Sequence, residues 1–398
     1  MKFLHTADWH LGRTLSEYSL LQDQEMRLGQ LIQAAREEKV DAVVIAGDLY
    51  DRSVPPAQAV SLLDETLYTL THTLGIPVLA IAGNHDSPQR LAFGSRLYAS
   101  SGLYMEGEPA REIRRVTLKD TYGPVDFYLL PYFTPEQVRP WFPEKEIHSF
   151  NDAFRALMED NLPRLDPGRR SVLVAHGYFR LIGEQAAEKE GIFSESEIAI
   201  GGSDLMDLKA ASGFDYIALG HLHAPQRAGA ETARYSGSLL KYSVSEARQN
   251  KGFLLVELDE KGCCSQRMLS LEPFRDLRTV RGTLEQLLDA NAPSEDYVMV
   301  TLTDEGAVLG AMERLRSVFP NALGLRFAAR ELDSHPGAVS QMTQEELERQ
   351  CTLSPIELFS QFYRQVREEP LSQQRRELVE NAIRALQEER NSGKEESH

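Results

Sequence analysis

Short apolar runs alternate with polar clusters along the N-terminal part of the chain. Five of these runs are rich in aliphatic or β-branched residues and are bounded by turn-forming residues, which predicts buried strands. They are residues 2–5 (KFLH), 42–46 (AVVIA), 78–82 (VLAIA), 171–175 (SVLVA) and 215–219 (DYIAL). A polar cluster follows each run. Because ligands of α/β sheets bind at the carboxyl ends of the strands, we expect the five clusters to share one crevice.

The clusters supply oxygen and nitrogen donors for metal ions. They are Asp8-Trp9-His10, Gly47-Asp48, Gly83-Asn84-His85-Asp86, His176-Gly177 and Gly220-His221-Leu222-His223. Carboxylate, amide and imidazole donors without a thiolate suit manganese, iron or zinc. The donors are too many for one tetrahedral zinc ion and fit two ions that share a carboxylate. Since two such ions clamp both sides of a phosphoryl displacement, the pattern indicates a metal-dependent phosphoesterase.

The remaining pattern predicts an α/β fold. Further strands are expected at residues 114–118, 125–130 and 252–257, which favours two mixed β-sheets flanked by helices over residues 1–272. The long stretch between His176 and Asp215, which includes residues 184–191 and Gly201-Gly202, has little regular pattern. Loops of this length are usually functional, so we expect a flap beside the crevice, with an ordinary surface insertion as the alternative.

Past Pro273 the pattern changes to a smaller unit. Residues 277–280, 283–290, 297–302, 307–318 and 323–327 follow one another as strand, helix, strand, helix, strand. No metal-type cluster occurs in this part of the sequence. The pattern therefore predicts a separate small α/β domain over residues 273–332.

Two amphipathic helices are predicted in residues 333–390. Thr343 with Glu346 and Ser354 with Glu357 form capping-box starts. The apolar stripes include Ile356, Phe359, Phe362, Leu378, Val379 and Ile383. Such a pair has no core of its own, so it packs either on this chain or on a partner. The charged residues 391–398 are expected to be disordered.

Composition limits the class of protein. With 398 residues, of which 42% are hydrophobic and 26% charged, the chain is expected to be globular with two or three domains. Its three cysteines form neither a disulfide framework nor a zinc motif, which favours a reducing cytosol. We find no signal peptide and no run of ~20 apolar residues that would span a membrane. A cytoplasmic protein is expected.

The net charge of −17 bears on any nucleic-acid substrate. A domain that binds nucleic acid alone usually has a basic face. Either the metal ions and a local basic strip bind the phosphates, or a partner supplies most of the grip on the duplex. Candidates for the strip are Arg13, Arg52, Arg90 and Lys241.

The motifs resemble those of a known superfamily. DxH, GDxxD at residues 47–51, GNHD at 83–86, a lone histidine after a strand and GHxH at 220–223 resemble the calcineurin-like metallophosphoesterases. The longer segments around these motifs are similar to those of the SbcD family of bacterial nuclease subunits. They are HTADWHLG at residues 5–12, AGDLYD at 46–51, AGNHDS at 82–87 and YSGSLLKYS at 235–243. The resemblance covers essentially the whole chain. It implies a four-layer sandwich of two mixed β-sheets flanked by helices, an α/β capping domain at 273–332 and C-terminal helices that bind a partner.

The resemblance also implies roles for the metal-type residues. Asp48 would bridge two divalent ions, Asp8, His10 and His223 would complete the first, and Asn84, His176 and His221 the second. Manganese is preferred, while magnesium, iron and zinc also fit the donors.

His85 and two carboxylates are expected to act beside the ions. His85 follows Asn84 directly and therefore points elsewhere, so we expect it to act as general acid or to stabilise the leaving oxygen. Asp51 and Asp86 are expected to support the loops and to orient ligand imidazoles.

The implied activity is that of a metal-dependent DNA nuclease. It would act as an exonuclease on double-stranded ends and as an endonuclease on single-stranded or hairpin DNA, in double-strand-break repair, recombination and replication. The implied partners are DNA and an SbcC-type ATPase with a coiled coil, in a heterotetramer with a homodimer of this chain. Helices at 57–70 and 90–99 would form the homodimer.

Two other functions remain open. A phosphomonoesterase or cyclic-nucleotide phosphodiesterase could use the same donors, but the capping domain and terminal helices are unneeded for small substrates. A non-catalytic adaptor has no physical reason to keep a full set of costly buried polar groups.

Overall fold

The computed structural model describes residues 1–181, 204–270, 272–289, 293–304 and 308–328, together with single positions between 356 and 379. Residues 1–329 form one compact unit and residues 330–398 a second. Of the flap expected between His176 and Asp215, residues 182–203 lie outside the described residues.

The first large sheet contains three of the five strands that precede metal-type clusters. Its strands are β1 (Lys2–Thr6), β4 (Ala42–Ile45), β5 (Val78–Ile81), β6 (Leu103–Glu106), β15 (Gly252–Leu258) and β16 (Cys264–Ser270). They lie in the order β16-β15-β1-β4-β5-β6. Strands β1, β4, β5 and β6 are parallel to one another. Strand β15 pairs antiparallel with β1, and β16 pairs antiparallel with β15. The carboxyl ends of β1, β4 and β5 therefore meet at one edge.

The second large sheet contains the other two strands that precede metal-type clusters. Its strands are β7 (Arg114–Asp120), β8 (Gly123–Leu130), β9 (Arg170–His176), β12 (Tyr216–Gly220), β13 (Gln226–Ala230) and β14 (Ala233–Tyr235). They lie in the order β13-β14-β12-β9-β8-β7, with parallel strands at the centre and antiparallel strands at both edges.

The two sheets pack face to face and are covered by helices. Between them the ring of Phe3 lies 5.6 Å from that of Phe127 and 5.8 Å from that of Tyr216, measured between centroids. Helices α1 (Leu21–Glu37) and α2 (Ala57–Tyr68) bury apolar residues on the outer face of the first sheet. Helix α6 (Phe150–Asn161) does the same on the second. The predicted four-layer sandwich is confirmed.

The single helix predicted at residues 90–99 is wrong. The chain forms two short helices instead, α3 (Pro88–Ala92) and α4 (Ser95–Tyr98). Gly94 between them has a φ of 74°, a left-handed conformation that ends a helix and that glycine adopts without steric cost. A further short helix, α5 (Pro135–Val138), precedes α6.

The small α/β pattern after Pro273 folds as a three-stranded parallel sheet. The strands are β17 (Leu277–Gly282), β18 (Tyr297–Leu302) and β19 (Ala322–Phe327), and the helices are α7 (Leu284–Asp289) and α8 (Ala311–Leu315). Helix α8 is shorter than predicted. Leu277 and Tyr297 pack against Leu15, Leu20 and Tyr242 of the sandwich. Arg275 also donates hydrogen bonds to both carboxylate oxygens of Asp23, at 2.9 and 2.6 Å.

Two short strand pairs complete the described part of the first unit. They are β2 (Thr14–Leu15) with β3 (Tyr18–Ser19), and β10 (Phe179–Arg180) with β11 (Met206–Asp207).

The second unit is described only at scattered positions. Ile356, Leu378 and Val379 are helical, and the Leu378 side chain is exposed. Phe359, Phe362 and Ile383 lie outside the described residues, as do residues 391–398. Within the described ranges, no helix combines the length and apolar character needed to cross a bilayer.

Candidate metal centre

Seven predicted ligands lie at one edge of the sandwich because each follows or ends a strand. Asp8 and His10 follow β1, Asp48 follows β4, Asn84 follows β5, His176 ends β9, and His221 and His223 follow β12. Strands β1, β4 and β5 belong to one sheet, and β9 and β12 to the other. The packing of the sheets therefore brings two half-sets of donors together.

Two imidazoles meet in a first group. His10 Nε2 lies 3.2 Å from His223 Nε2, and 3.6 Å from Asp48 Oδ2. Two neutral imidazole nitrogens this close need a proton or a cation to bridge them if both present lone pairs.

An amide oxygen organises a second group. Asn84 Oδ1 lies 3.0 Å from His176 Nε2 and 3.2 Å from His221 Nδ1. Asp48 Oδ2 is 3.5 Å from His176 Nε2. One carboxylate oxygen of Asp48 is thus almost equally distant from an imidazole of each group.

Asp8 is held deep beside the second group. Its two oxygens accept hydrogen bonds from the His221 backbone N–H, at 2.9 and 3.1 Å, and Oδ1 lies 4.0 Å from His176 Nδ1. Asp8, Asp48 and His176 offer ligand atoms within 4.8 Å of one another.

Four of these seven residues have strained backbones. Asp8, His10, Asp48 and His221 have φ values of 52°, 45°, 51° and 110°, a region that residues with a Cβ rarely adopt. Each such conformation costs on the order of 1–3 kcal/mol and persists only where the surroundings impose it. Hydrogen bonds from Asp8 N to Gly47 O and from His10 N to Asp48 O, both 3.0 Å, help to hold them. Strain concentrated on ligand-type residues is typical of a functional site.

Two glycines allow the loops to approach closely. A Cβ on Gly83 would lie 2.1 Å from Asp48 Oδ1, and one on Gly220 would lie 1.9 Å from the Ala46 carbonyl oxygen. Any larger residue would therefore push the clusters apart.

Burial and neighbouring charges shift the pKa values of the ligand-type residues. Burial raises the pKa of Asp8 to about 7, lowers that of His221 to about 3, and holds the pKa of His10 well below the ordinary value. Burial alone would lower the pKa of His176, but the charge of Asp48 raises it to about 9. Burial likewise disfavours ionised Asp48, but the charge of His176 holds its pKa far below the usual range.

The donors fit divalent cations. Asp8 and Asp48 are buried, and neither forms an ion pair with a lysine or arginine in the described part of the chain. Buried carboxylates require compensating positive charge. Without metal, protonated His176 compensates one of the two carboxylates, while His10 and His221 offer lone pairs rather than charge. Cations bound among these oxygen and nitrogen atoms would supply the remaining positive charge.

His85 differs from the ligand-type histidines. Its backbone N–H donates to Asp48 Oδ1 at 2.9 Å, and its Nδ1 donates to the backbone oxygen of Asp51 at 2.9 Å. The carbonyl can only accept, which leaves Nε2 as the nitrogen able to exchange a proton with a substrate. His85 is only half-buried, and its ring centroid is 4.8 Å from that of His10.

The two predicted supporting carboxylates occupy different places. Asp86 accepts hydrogen bonds from the backbone N–H groups of Leu49, Tyr50 and Gly83, at 2.9–3.1 Å, and so ties two ligand loops together. Asp51 accepts a hydrogen bond from Arg13 at 3.0 Å and lies 3.8 Å from His10 Nδ1.

Of the candidate basic residues, only Arg13 is anchored beside the donors, where its guanidinium also lies 5.2 Å from the centroid of the Tyr242 ring. Arg52 and Arg90 are exposed. Lys241 pairs with Asp276, at 2.8 Å, where the small α/β domain meets the sandwich.

Three buried polar residues behind the ligands were not predicted from the sequence. Glu246 accepts a hydrogen bond from His223 Nδ1 at 3.0 Å, and Lys251 pairs with Glu246 at 2.6 Å. Gln24 donates to the His10 carbonyl oxygen at 2.8 Å. Their only sequence signal is a polar residue at a position that turns out to be buried, which no local pattern reveals.

Two known families match the chain. The calcineurin-like phosphoesterase family matches residues 1–225. A family described as the type 5 capsule protein repressor C-terminal domain matches residues 273–367.

Curated relatives match over most of their length. A protein of Staphylococcus epidermidis, named as the D component of the nuclease SbcCD, is 32% identical over 82% of this chain and 85% of its own. A protein of the same name from Staphylococcus saprophyticus is 32% identical over 98% of this chain and 99% of its own. The match to a solved structure from Thermus thermophilus, TT1561, covers 67% of this chain and 98% of that one, at 13% identity and with a TM-score of 0.39.

Proposed function

The chain belongs to the calcineurin-like phosphoesterase family, and to its SbcD branch, and from this premise we propose that it is a two-metal DNA nuclease. The observation that carries the proposal is the place of Asp48, whose Oδ2 lies 3.6 Å from His10 Nε2 and 3.5 Å from His176 Nε2. A carboxylate between two imidazole groups can serve one ion on each side.

The proposed ligand sets keep the split that the family pattern implies, in which Asp8 belongs with His10 and His223 although it also lies beside His176. Asp8, His10 and His223 hold one divalent ion, Asn84, His176 and His221 hold the other, and Asp48 is shared. We propose Mn²⁺ as the ion, since oxygen and imidazole donors without thiolate suit it. Two bound divalent ions would neutralise phosphate charge and acidify a water molecule as nucleophile.

The protein's own residues bring the substrate and the proton into place. His85 has its Nδ1 engaged by the Asp51 carbonyl oxygen, so that protonated Nε2 can donate to the leaving oxygen of a phosphodiester. Asp86 keeps the loops of Asp48 and Asn84 in register through three backbone hydrogen bonds. Of the four candidate basic residues, Arg13 is the one that is fixed beside the donors, through its hydrogen bond to Asp51.

The substrate and partner are proposed from the relatives and from charge. Relatives at 32% identity are named as a component of the SbcCD nuclease, so we propose double-stranded ends, single strands and hairpins of DNA as substrates. With a net charge of −17, this chain requires help to hold a duplex, which an SbcC-type ATPase would provide. A pocket of about 120 Å³ beside Asn84 and His221 is lined by Tyr132, Phe150 and Tyr178, aromatic rings on which an unpaired base can stack.

The proposed division of labour follows the chain. Residues 1–272 carry the chemistry, residues 273–332 cap the crevice, and residues 333–390 bind the ATPase. The complex would act in the cytoplasm, at the nucleoid.

Anomalous scattering from manganese-soaked crystals tests the centre. We expect two peaks about 3.5–4 Å apart, on either side of Asp48. In parallel, cleavage of linear duplex, hairpin and single-stranded DNA should require Mn²⁺, stop with a chelator and disappear in Asp48→Asn. A single tetrahedral site, or a chain that binds two ions but hydrolyses only phosphomonoesters, would contradict the proposal.

A homodimer through the helices that flank the metal loops is a further part of the proposal. Of the apolar residues in the two predicted helices, 57–70 and 90–99, Leu63, Leu67 and Leu91 are buried in the core of the sandwich. Phe93 and Leu97 are 78% and 77% exposed, which supports a contact with a second copy.

Phe93→Glu/Leu97→Glu should leave the fold intact and convert the dimer to a monomer in sedimentation velocity at micromolar concentration. Leu309→Glu, at a residue that is 90% exposed in the small α/β domain, is the matched control and should stay dimeric. A wild-type chain that is monomeric without a partner would contradict the proposed homodimer.

A further inference from the structure

Glu246 is a fully buried carboxylate directly behind one ligand-type imidazole. Its Oε1 lies 3.0 Å from His223 Nδ1, while His223 Nε2 faces His10 Nε2 at 3.2 Å on the other side of the ring. The imidazole is therefore held between a carboxylate and the proposed cation position.

Among the described residues, no other ligand-type imidazole has a carboxylate this close behind its ring: Asp51 Oδ1 lies 3.8 Å from His10 Nδ1, and Asp8 Oδ1 lies 4.0 Å from His176 Nδ1. His176 Nδ1 donates to the Ala46 carbonyl oxygen at 2.8 Å, and His221 turns its Nδ1 towards Asn84. His10 Nδ1 is buried and makes no hydrogen bond in the described part of the chain. The two proposed ion positions are thus supported unequally.

Lys251 fixes the position of Glu246. Its ammonium lies 2.6 Å from Glu246 Oε2 and also donates to Ser238 Oγ at 2.8 Å and to the His223 carbonyl oxygen at 2.7 Å. Both ends of the pair are buried. A buried ion pair with this many additional hydrogen bonds has a defined geometry rather than a range of them. The pair contacts His223 through both its ring and its backbone.

We propose that Glu246 and Lys251 are positioning residues that give the ion held by Asp8, His10, His223 and Asp48 its affinity. By accepting the Nδ1–H of His223, Glu246 leaves the lone pair of Nε2 directed at the ion and makes the imidazole a stronger donor. Loss of such a partner typically costs on the order of 10–100-fold in metal affinity. The ion held by Asn84, His176 and His221 does not depend on this carboxylate.

The inference rests on the proposed two-ion centre, so its test counts ions before it compares variants. The full-length chain, stripped of metal, is titrated with Mn²⁺ by calorimetry and by electron paramagnetic resonance of free Mn²⁺. Wild-type protein should bind two ions, and Glu246→Gln should bind one of them about 10–100-fold more weakly while the other changes little. Glu246→Asp, which keeps the carboxylate, should recover part of the loss.

Asp126→Asn is the matched control. Asp126 is a buried carboxylate that pairs with Arg169 at 2.8 Å and contacts none of the ligand-type residues. It should keep both Mn²⁺ affinities, and a loss equal to that of Glu246→Gln would mean that disturbing any buried ion pair has the same effect, overturning the inference. Thermal unfolding without metal identifies a variant that does not fold, in which case Glu246→Asp carries the comparison.

Two results distinguish the failure of this inference from failure of the proposed function. Two unchanged affinities in Glu246→Gln, or an equal loss of both, would overturn the role of Glu246 and leave the two-ion centre standing. A wild-type chain that binds only one ion would overturn both.

Discussion

Within the crevice, His85 differs from the ligand-type histidines in the surroundings of its ring nitrogens. The Asp51 carbonyl oxygen occupies the Nδ1 side, and the ring is only half-buried. His85→Ala should therefore keep both Mn²⁺ ions and DNA binding but lose DNA cleavage by about 100-fold or more, since general acid catalysis contributes at least that much. Single-turnover cleavage and Mn²⁺ titration of the same preparation measure the two effects. Loss of an ion by the variant would instead assign His85 to coordination.

Asp120 provides a pH-dependent contact far from the crevice. It accepts two hydrogen bonds from the Arg170 guanidinium, at 2.8 and 2.5 Å, and these hold its pKa below the ordinary value. A carboxyl with a depressed pKa stabilises the fold above its ordinary pKa of about 3.9, and this stabilisation is lost as pH falls through the folded-state pKa.

Asp120→Asn should accordingly have a lower free energy of unfolding than wild type at pH 7. The difference between the two free energies should narrow as the pH falls below about 4. Urea unfolding at a series of pH values, limited to those at which both proteins are folded, checks this. If this difference in free energy of unfolding widened towards acid pH, the contact would not stabilise the fold in the way that the depressed pKa of Asp120 requires.

Among the secondary-structure elements, the ends of the strands leave no room for side chains where the two sheets meet. A Cβ on Gly220, at the end of β12, would lie 1.9 Å from the Ala46 carbonyl oxygen beyond β4. Gly220→Ala should lower the free energy of unfolding by about 1–3 kcal/mol or more and weaken Mn²⁺ binding, because backbone must move.

Gly29 is the control for this substitution. It lies exposed within α1, and a Cβ added to it would have no heavy atom of another part of the chain within 4 Å. Gly29→Ala should raise the free energy of unfolding by about 0.5–1 kcal/mol, since alanine loses less backbone entropy in a helix. Denaturant unfolding measures the stability of both variants. A Gly220→Ala variant as stable as Gly29→Ala would contradict the close packing at the end of β12.

For the whole molecule, residues 1–329 form a compact unit that contains every described ligand-type residue. Truncation after Leu332 should thus leave a folded protein that binds Mn²⁺ and cleaves flexible DNA. The same truncation should abolish association with an SbcC-type ATPase and ATP-dependent processing of duplex DNA. Co-purification with the ATPase, together with calorimetric unfolding of the truncated chain, measures both outcomes.

Two results would count against this division of the chain. An insoluble truncated protein would show that the C-terminal apolar stripes pack on the chain's own core. A folded truncated protein that still binds the ATPase would place the docking surface in residues 1–332.

The sequence by itself determined the strands and the donors that follow them. Strand periodicity and donor chemistry are local properties, so the runs before Asp8, Asp48 and Asn84 predicted both the sheet and the kind of site. Parallel pairing of β1, β4 and β5 then required their ends to meet at one edge.

Only the tertiary structure decided how the donors are supported and which surfaces remain free. Glu246 lies behind His223 although 23 residues separate them in the chain, because the fold brings them together in a buried pocket. The chain turns at Gly94, where helical periodicity predicted no break, and Phe93 beside the turn is exposed. Burial, close approach and pairing depend on neighbours distant in the sequence, and no local pattern of hydrophobic and polar residues contains them.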